Sequence, residues 1–388
     1  MNRFWPATLL FAEEDSVGTA WVLLMVAASA GACVPNGLDL RLLKAFTTDL
    51  SKNQAIAPFA MSTLMTQVWL GARGDTRHEV ATVLDIKTSA GSSFLTCYKS
   101  ALSDFTCGSG NITNLVFNRM YIKRRFKINS GFKDLLHEYF HAVVNKFSLT
   151  GQAAYEINTG VAKATGNRIQ NLVSQSALRF KLVLLSAVYF KGLWLTPFDM
   201  TVKGPFLTAS GNKQVDMMKL FTRVPYVKMS DFDAISLPYT DENYVMLILR
   251  PLTRNMAAVS RLKYSLDILD VAVIMQRLRS SSVQITMPRF KIRAGGFLNR
   301  TMLQLGIRKV FTREADLSNI TDKFLAVGLI IHKVFIEVTE EGTEAAGAGA
   351  VTDVLPRPVQ FMADRPFFAI VWNRKHKINL FSAYVASP

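Results

Sequence analysis

The chain has 388 residues, with 45 Lys+Arg against 29 Asp+Glu for a formal net charge of +16, and it is 49% hydrophobic but only 19% charged. That hydrophobic share excludes a disordered chain, and 22 Gly and 13 Pro exclude a collagen-like fibre. Three cysteines exclude a disulfide scaffold or a multi-zinc protein, while the positive excess points to a polyanionic partner without bearing on fold.

Between Ser16 and Leu38 no residue is charged, and the apolar run Trp21–Val26 is followed by Ala28-Ser29-Ala30 and Ala30-Gly31-Ala32. An apolar core followed by A-x-A is the pattern of a secretory signal, expected over residues 1–32. A signal-anchor is the rival reading, because ~18 uncharged residues can cross a bilayer. Export implies an extracellular protein without membrane attachment after cleavage. Three Asn-x-Thr sequons, at Asn111, Asn299 and Asn319, are then candidate glycosylation sites. Cys97 and Cys107 either pair or remain buried thiols, with Cys33 the odd one out.

Leu40, Leu43, Phe46 and Leu50 recur at helical spacing, and a second helix is expected after Pro58, ending at Gly71. From Phe132 to Phe147 an i, i+3, i+4, i+7 stripe predicts one amphipathic helix. Leu182–Phe190 is nearly all apolar, as a strand buried on both faces requires. Val283–Pro288 and Phe335–Thr339 alternate, and Pro366–Trp372 with Ile378–Val385 read as a hairpin. No linker or repeat interrupts the body, so residues 33–388 are expected to form one domain. Helices come early and strands late, which favours an α+β fold. Between two strong strands, Ala345-Ala-Gly-Ala-Gly-Ala-Val351 has little reason to pack and reads as a long exposed loop, often a functional element.

His137-Glu138-Tyr139-Phe140-His141 matches H-E-x-x-H, which on a helix places two zinc ligands and a general base on one face; Glu156 is the nearest guess for a third ligand. The two histidines lie off the apolar stripe, among Lys133, Asp134 and Asn145, as on a solvated face. No nucleotide-binding or nucleophile motif occurs, and no cofactor is expected. Basic clusters at Lys123–Lys127, Arg289–Arg293 and Arg374–Lys377 are solvated faces or sites for a polyanion, with a heparin-like glycan preferred over nucleic acid for an exported protein.

The stretch from His332 through Glu340-Glu341-Gly342-Thr343 to Ala348 resembles the strand-and-hinge signature of the serpins, the serine protease inhibitors. Leu70–Thr76, Ala187–Trp194, Leu305–Ile307, Ala315–Thr321 and Ala363–Phe368 resemble the family too, in its order. The resemblance implies a serpin fold of three β-sheets with eight or nine helices, a monomer, and a reactive-centre loop at about residues 342–360. It also implies a target serine protease that cleaves the loop and becomes acylated while the hinge inserts into the central sheet. Gly342, Thr343, Glu344, Ala345, Ala346, Gly347 and Ala348 would form that hinge. Small side chains enter a sheet without a steric gate, whereas a buried unpaired charge costs several kcal/mol by order of magnitude.

The chain departs from the family pattern in three places. Where the family carries two serines and an asparagine around a histidine at the point of sheet opening, His332 is accompanied by Ala57, Ala60 and Ser186; Trp194 is kept, but Gly160 replaces a tryptophan after Ile157-Asn158. Counting forward from Glu340 puts the reactive bond at Pro356–Arg357, with Leu355–Pro356 and Arg357–Pro358 as neighbours. Counting back from Phe361 puts it at Asp353–Val354, the mark of a shortened loop. Two readings follow: a secreted inhibitor of a serine-type endopeptidase, or a non-inhibitory carrier, chaperone or glycan binder. A zinc peptidase is a remote third.

Overall fold

The structure, a computed structural model, describes residues 34, 36–87, 92–107, 111–341 and 357–388. The expected signal, the hinge positions 342–348 and the bond candidates 353–356 lie outside them. Nine α-helices occur among the described residues: α1 (Asp39–Phe46), α2 (Pro58–Gly71), α3 (Gly74–Leu84), α4 (Ser92–Cys107), α5 (Ser130–Phe140), α6 (Thr150–Ala164), α7 (Met256–Ser265), α8 (Val271–Arg277) and α9 (Asn299–Leu305). The strands are β1 (Gln54–Ile56), β2 (Ile112–Lys123), β3 (Val144–Phe147), β4 (Leu182–Gly192), β5 (Met200–Thr208), β6 (Gly211–Lys228) and β7 (Phe232–Pro238). They continue with β8 (Tyr244–Pro251), β9 (Arg279–Pro288), β10 (Phe290–Phe297), β11 (Leu329–Val338), β12 (Val359–Met362), β13 (Phe367–Asn373) and β14 (Ile378–Val385).

Local chemistry explains several of these boundaries. Pro58 opens α2, where its missing N–H removes nothing from the helix ladder. All residues of α2 are buried, so this helix runs through the core rather than over it. α1 stops at Phe46 rather than reaching Leu50, because Thr47 leaves helical geometry; Leu50 packs against the core from a loop. The stripe from Phe132 to Phe147 likewise breaks. Helix α5 ends at Phe140, His141 caps it at φ 47°, and Val144–Phe147 become β3, paired with Met120–Lys123. Ladder hydrogen bonds to β2 override a helical periodicity that the apolar residues alone would continue.

The α+β architecture is present, with two hydrogen-bonded sheets among the described residues instead of the three the resemblance implied. The reason is β6, an 18-residue strand that pairs β5, β9 and β7 along its length and so joins two expected sheets into one of nine strands. The second sheet has the order β10-β11-β4-β2-β3. Its centre is a parallel pair, Leu329–Ile336 of β11 against Val183–Phe190 of β4. Strand β4 is buried from Leu182 to Phe190, with the main core on one face. On the other face Leu185, Ala187 and Tyr189 meet Ile157 and Val161 of α6 in a second apolar cluster.

Candidate functional site

The C-terminal end of β11 leads to the hinge, so the site is built around that strand and its neighbours. Thr339, Glu340 and Glu341 are held by the segment after β4. The Trp194 indole Nε1–H donates to the Thr339 carbonyl at 2.8 Å, and the backbone N–H groups of Trp194 and Phe198 donate to Glu341 and Glu340 carbonyls at 3.1 Å each. Lys191 reaches the Glu341 carboxylate at 2.6 Å, and the Thr201 hydroxyl donates to Glu340 at 2.5 Å. Trp194 itself is stacked on Tyr239, centroids 4.5 Å apart and planes 7° apart, with Phe198 against its edge. Gly192 permits this approach, since a Cβ there would lie 2.6 Å from the Tyr239 ring. Trp194 thus acts as a peg beneath Thr339–Glu341, the root of the loop.

Lower on the same pair of strands, His332 is fully buried and directly opposite Ser186 in register. Its Nε2 accepts the Ala57 N–H at 3.0 Å, just ahead of α2. Burial without a charged partner lowers its pKa to about 3, so the ring is neutral, with the proton on Nδ1. Ala57 and Ala60 supply no hydroxyl here. The gap is taken by a residue the sequence reading overlooked: Asn118 of β2, opposite Ser186, donates its Nδ2–H to the Ala60 carbonyl at 3.0 Å. The signal for it was present, because Asn114 and Asn118 interrupt the apolar row Ile112, Val116, Met120 and Ile122. The row Asn118–Ser186–His332 is therefore polar but thin. Asn118 Oδ1, Ser186 Oγ and His332 Nδ1 have no hydrogen-bond partner among the described residues.

The other sequence candidates are scattered. Arg357 is exposed, ahead of β12. Asn111 is exposed at the start of β2. The Asn299 amide spans Gly328 O and Ile330 N–H at 3.1 and 3.0 Å, and Asn319 Nδ2 donates to Leu70 and Ala72 carbonyls at 3.0 and 3.2 Å. Both nitrogens are committed to structure and their sequon threonines, Thr301 and Thr321, are buried, which argues against a glycan at either. Cys97 is in a disulfide; its partner falls outside the described side chains. The H-E-x-x-H reading fails on geometry: His141 is a left-handed cap beyond α5 and does not share a helical face with His137. Glu156 is occupied by Gln152 at 2.7 Å on α6. Among the described residues no three His, Cys, Asp or Glu are grouped to hold a metal. The basic clusters occupy three different elements: the end of β2, strand β10 and the β13–β14 turn.

The arrangement defines a class of protein: a parallel seam in the middle of a sheet whose C-terminal end, Thr339–Glu341, is held firmly at the point where the chain enters the expected loop. Residues 35–388 match the family described as serpin (serine protease inhibitor), and the chain belongs to that family. Iripin-2 of Ixodes ricinus is 32% identical over 357 residues, covering 88% of this chain and 89% of that protein. The crystal structure of Serpin48, described as a highly specific serpin of the insect Tenebrio molitor, is 28% identical with a TM-score of 0.78, covering 91% of this chain and 96% of the other. Native protease nexin-1, solved with heparin, is 26% identical with a TM-score of 0.78, over 91% of this chain and 100% of that one.

Proposed function

We propose that this protein is a secreted inhibitor of a serine-type endopeptidase that works by loop cleavage and insertion between β4 and β11. The observation that carries this reading is the closed parallel seam with the loop rooted at its end. A segment leaving the C-terminal end of β11 and folding back between the two strands runs antiparallel to both. One parallel ladder is exchanged for two antiparallel ones, which are slightly more stable per residue. The small residues Ala345, Ala346, Gly347 and Ala348 suit entry into a buried sheet. Incubation with a panel of serine proteases should yield an SDS-stable complex. Gly347→Glu should abolish the complex while leaving the loop cleavable; a complex that forms as before would refute insertion.

A non-inhibitory role is the second reading, favoured by Pro356 and Pro358 beside Arg357 and by alanines at 57 and 60. Its signature is cleavage of the loop with no complex for any protease tested. Export with removal of residues 1–32, and a glycan on Asn111, belong to the same proposal. So does binding of a heparin-like glycan, supported by the +16 charge and by the heparin bound to protease nexin-1.

A further inference from the structure

The β4–β11 seam carries a second arrangement on the face turned towards α6. Arg293 of β10, Phe335 of β11 and Tyr189 of β4 stand in one register row. The Phe335 and Tyr189 rings meet across the seam with centroids 5.3 Å apart. Each ring carries a guanidinium: Arg293 Cζ lies 4.4 Å from the Phe335 centroid, and Arg168 Cζ 5.4 Å from that of Tyr189. Arg168 comes from the chain just past α6, where Gly166 and Asn167 take φ of 53° and 60°. That segment is pinned to the sheet by Lys333, whose amine donates to the Asn171 and Gln170 carbonyls at 2.6 and 3.3 Å. Between them is a cleft of about 300 Å³ lined by Arg168, Arg293, Gly295, Lys333 and Phe335. Its floor is backbone at Gly295, where φ is 147° and a Cβ would lie 2.2 Å from the His332 carbonyl.

The charges here are not balanced. Neither guanidinium makes a hydrogen bond or ion pair among the described residues. Glu337, the acid on this face of β11, is paired with Lys291 at 2.5 Å and attracts Arg168 only through space, so one already paired carboxylate faces Arg168, Arg293 and Lys333. Stacking on a ring leaves the N–H edge of each guanidinium unused, and two such forks match the oxygens of a tetrahedral oxyanion. We propose that this cleft binds a sulfate or phosphate group, free or as an ester, bridging Arg168 and Arg293. The bridge spans the seam, because one arginine sits on β10 and the other is stacked on β4. If the loop inserts as proposed above, β4 and β11 must part, so the bound anion holds the sheet closed and slows insertion. That consequence rests on the inhibitory reading; the binding does not.

The test is calorimetric titration with sodium sulfate and sodium phosphate at constant ionic strength set by chloride. Saturable binding is expected, weakened about tenfold by Arg168→Gln and by Arg293→Gln, each of which removes a charge-assisted hydrogen bond. Arg313→Gln, at an exposed position elsewhere, should bind as the parent does. Hydrogen exchange of β4 and β11 amides should slow with sulfate in the parent and not in Arg168→Gln. Absence of saturable binding in the parent, or equal affinity in all variants, would overturn the proposal. Displacement of sulfate by a heparin oligosaccharide assigns the site to ester groups; sulfate binding without displacement assigns it to the free anion. Anion binding that persists while no protease forms a complex leaves this site standing and removes only the inhibitory reading.

Discussion

His332 offers a pH test of how the sheet is held shut. Its pKa falls to about 3 in the folded protein because the ring is desolvated with no counter-charge, against about 6.5 when unfolded. Above pH ~6.5 the ring is neutral in both states and its contribution is fully present. As pH falls from ~6.5 towards 3 the unfolded chain binds the extra proton, so folding loses about 1.4 kcal/mol per pH unit from this group. At pH 5 the loss is about 2 kcal/mol, from a difference of about 1.5 units. His332→Gln removes the titration while an amide oxygen can still accept the Ala57 N–H. Urea midpoints measured at pH 7.5 and pH 5.0 for both proteins give the double difference, in which the carboxylates common to both cancel. The parent should lose about 2 kcal/mol more than the variant between the two pH values. An identical pH dependence would refute a neutral, desolvated His332.

Two further outcomes follow from the same core. Trp194→Phe keeps most of the stacking on Tyr239 but deletes the hydrogen bond to Thr339, and should cost about 1 kcal/mol in urea and speed amide exchange at Thr339–Glu341; unchanged exchange there would count against Trp194 as the anchor. Asp233→Asn strips the counter-charge from the buried Arg250, which it meets through two hydrogen bonds between β7 and β8, and should destabilise by about 3–5 kcal/mol. A melting temperature within a degree of the parent would show that water already reaches that pair.

Much of this fold is legible in local pattern, and its failures share a cause. Pro58 and Gly71 bracket α2, and the apolar run Leu182–Phe190 is β4, because each element's signal lies within its own residues. The turn between β13 and β14 is legible for the same reason. The helix stripe running through Val144 and Phe147 misleads because partners from β2, more than twenty residues earlier in sequence, decide the conformation there. Asn118 is similar. Its value to the site comes from the Ala60 carbonyl, 58 positions away in the chain, and only the packing of α2 against β2 brings them together. Asn299 and Asn319 read as sequons, yet tertiary hydrogen bonds have already claimed their amides. The paired arginines of the anion cleft are invisible in sequence because one leaves a helix end and the other a strand.

The placement of β14 has a consequence for how the chain is made. Strand β14 lies between β1 and β13, with Gln54 opposite Tyr384 and Phe367 opposite Val385. Helix α2, near the start, also packs against β14. A nascent chain therefore exposes the face that β14 will cover until Val385 has left the ribosome, and the long-range closure is slow compared with local helix formation. Truncation before Ile378 should leave an aggregation-prone intermediate rather than a smaller folded protein. Strand β14 thus closes a part of the fold that β1 and α2 began much earlier in synthesis, and a chaperone that shields Gln54–Gly71 meanwhile would raise the yield.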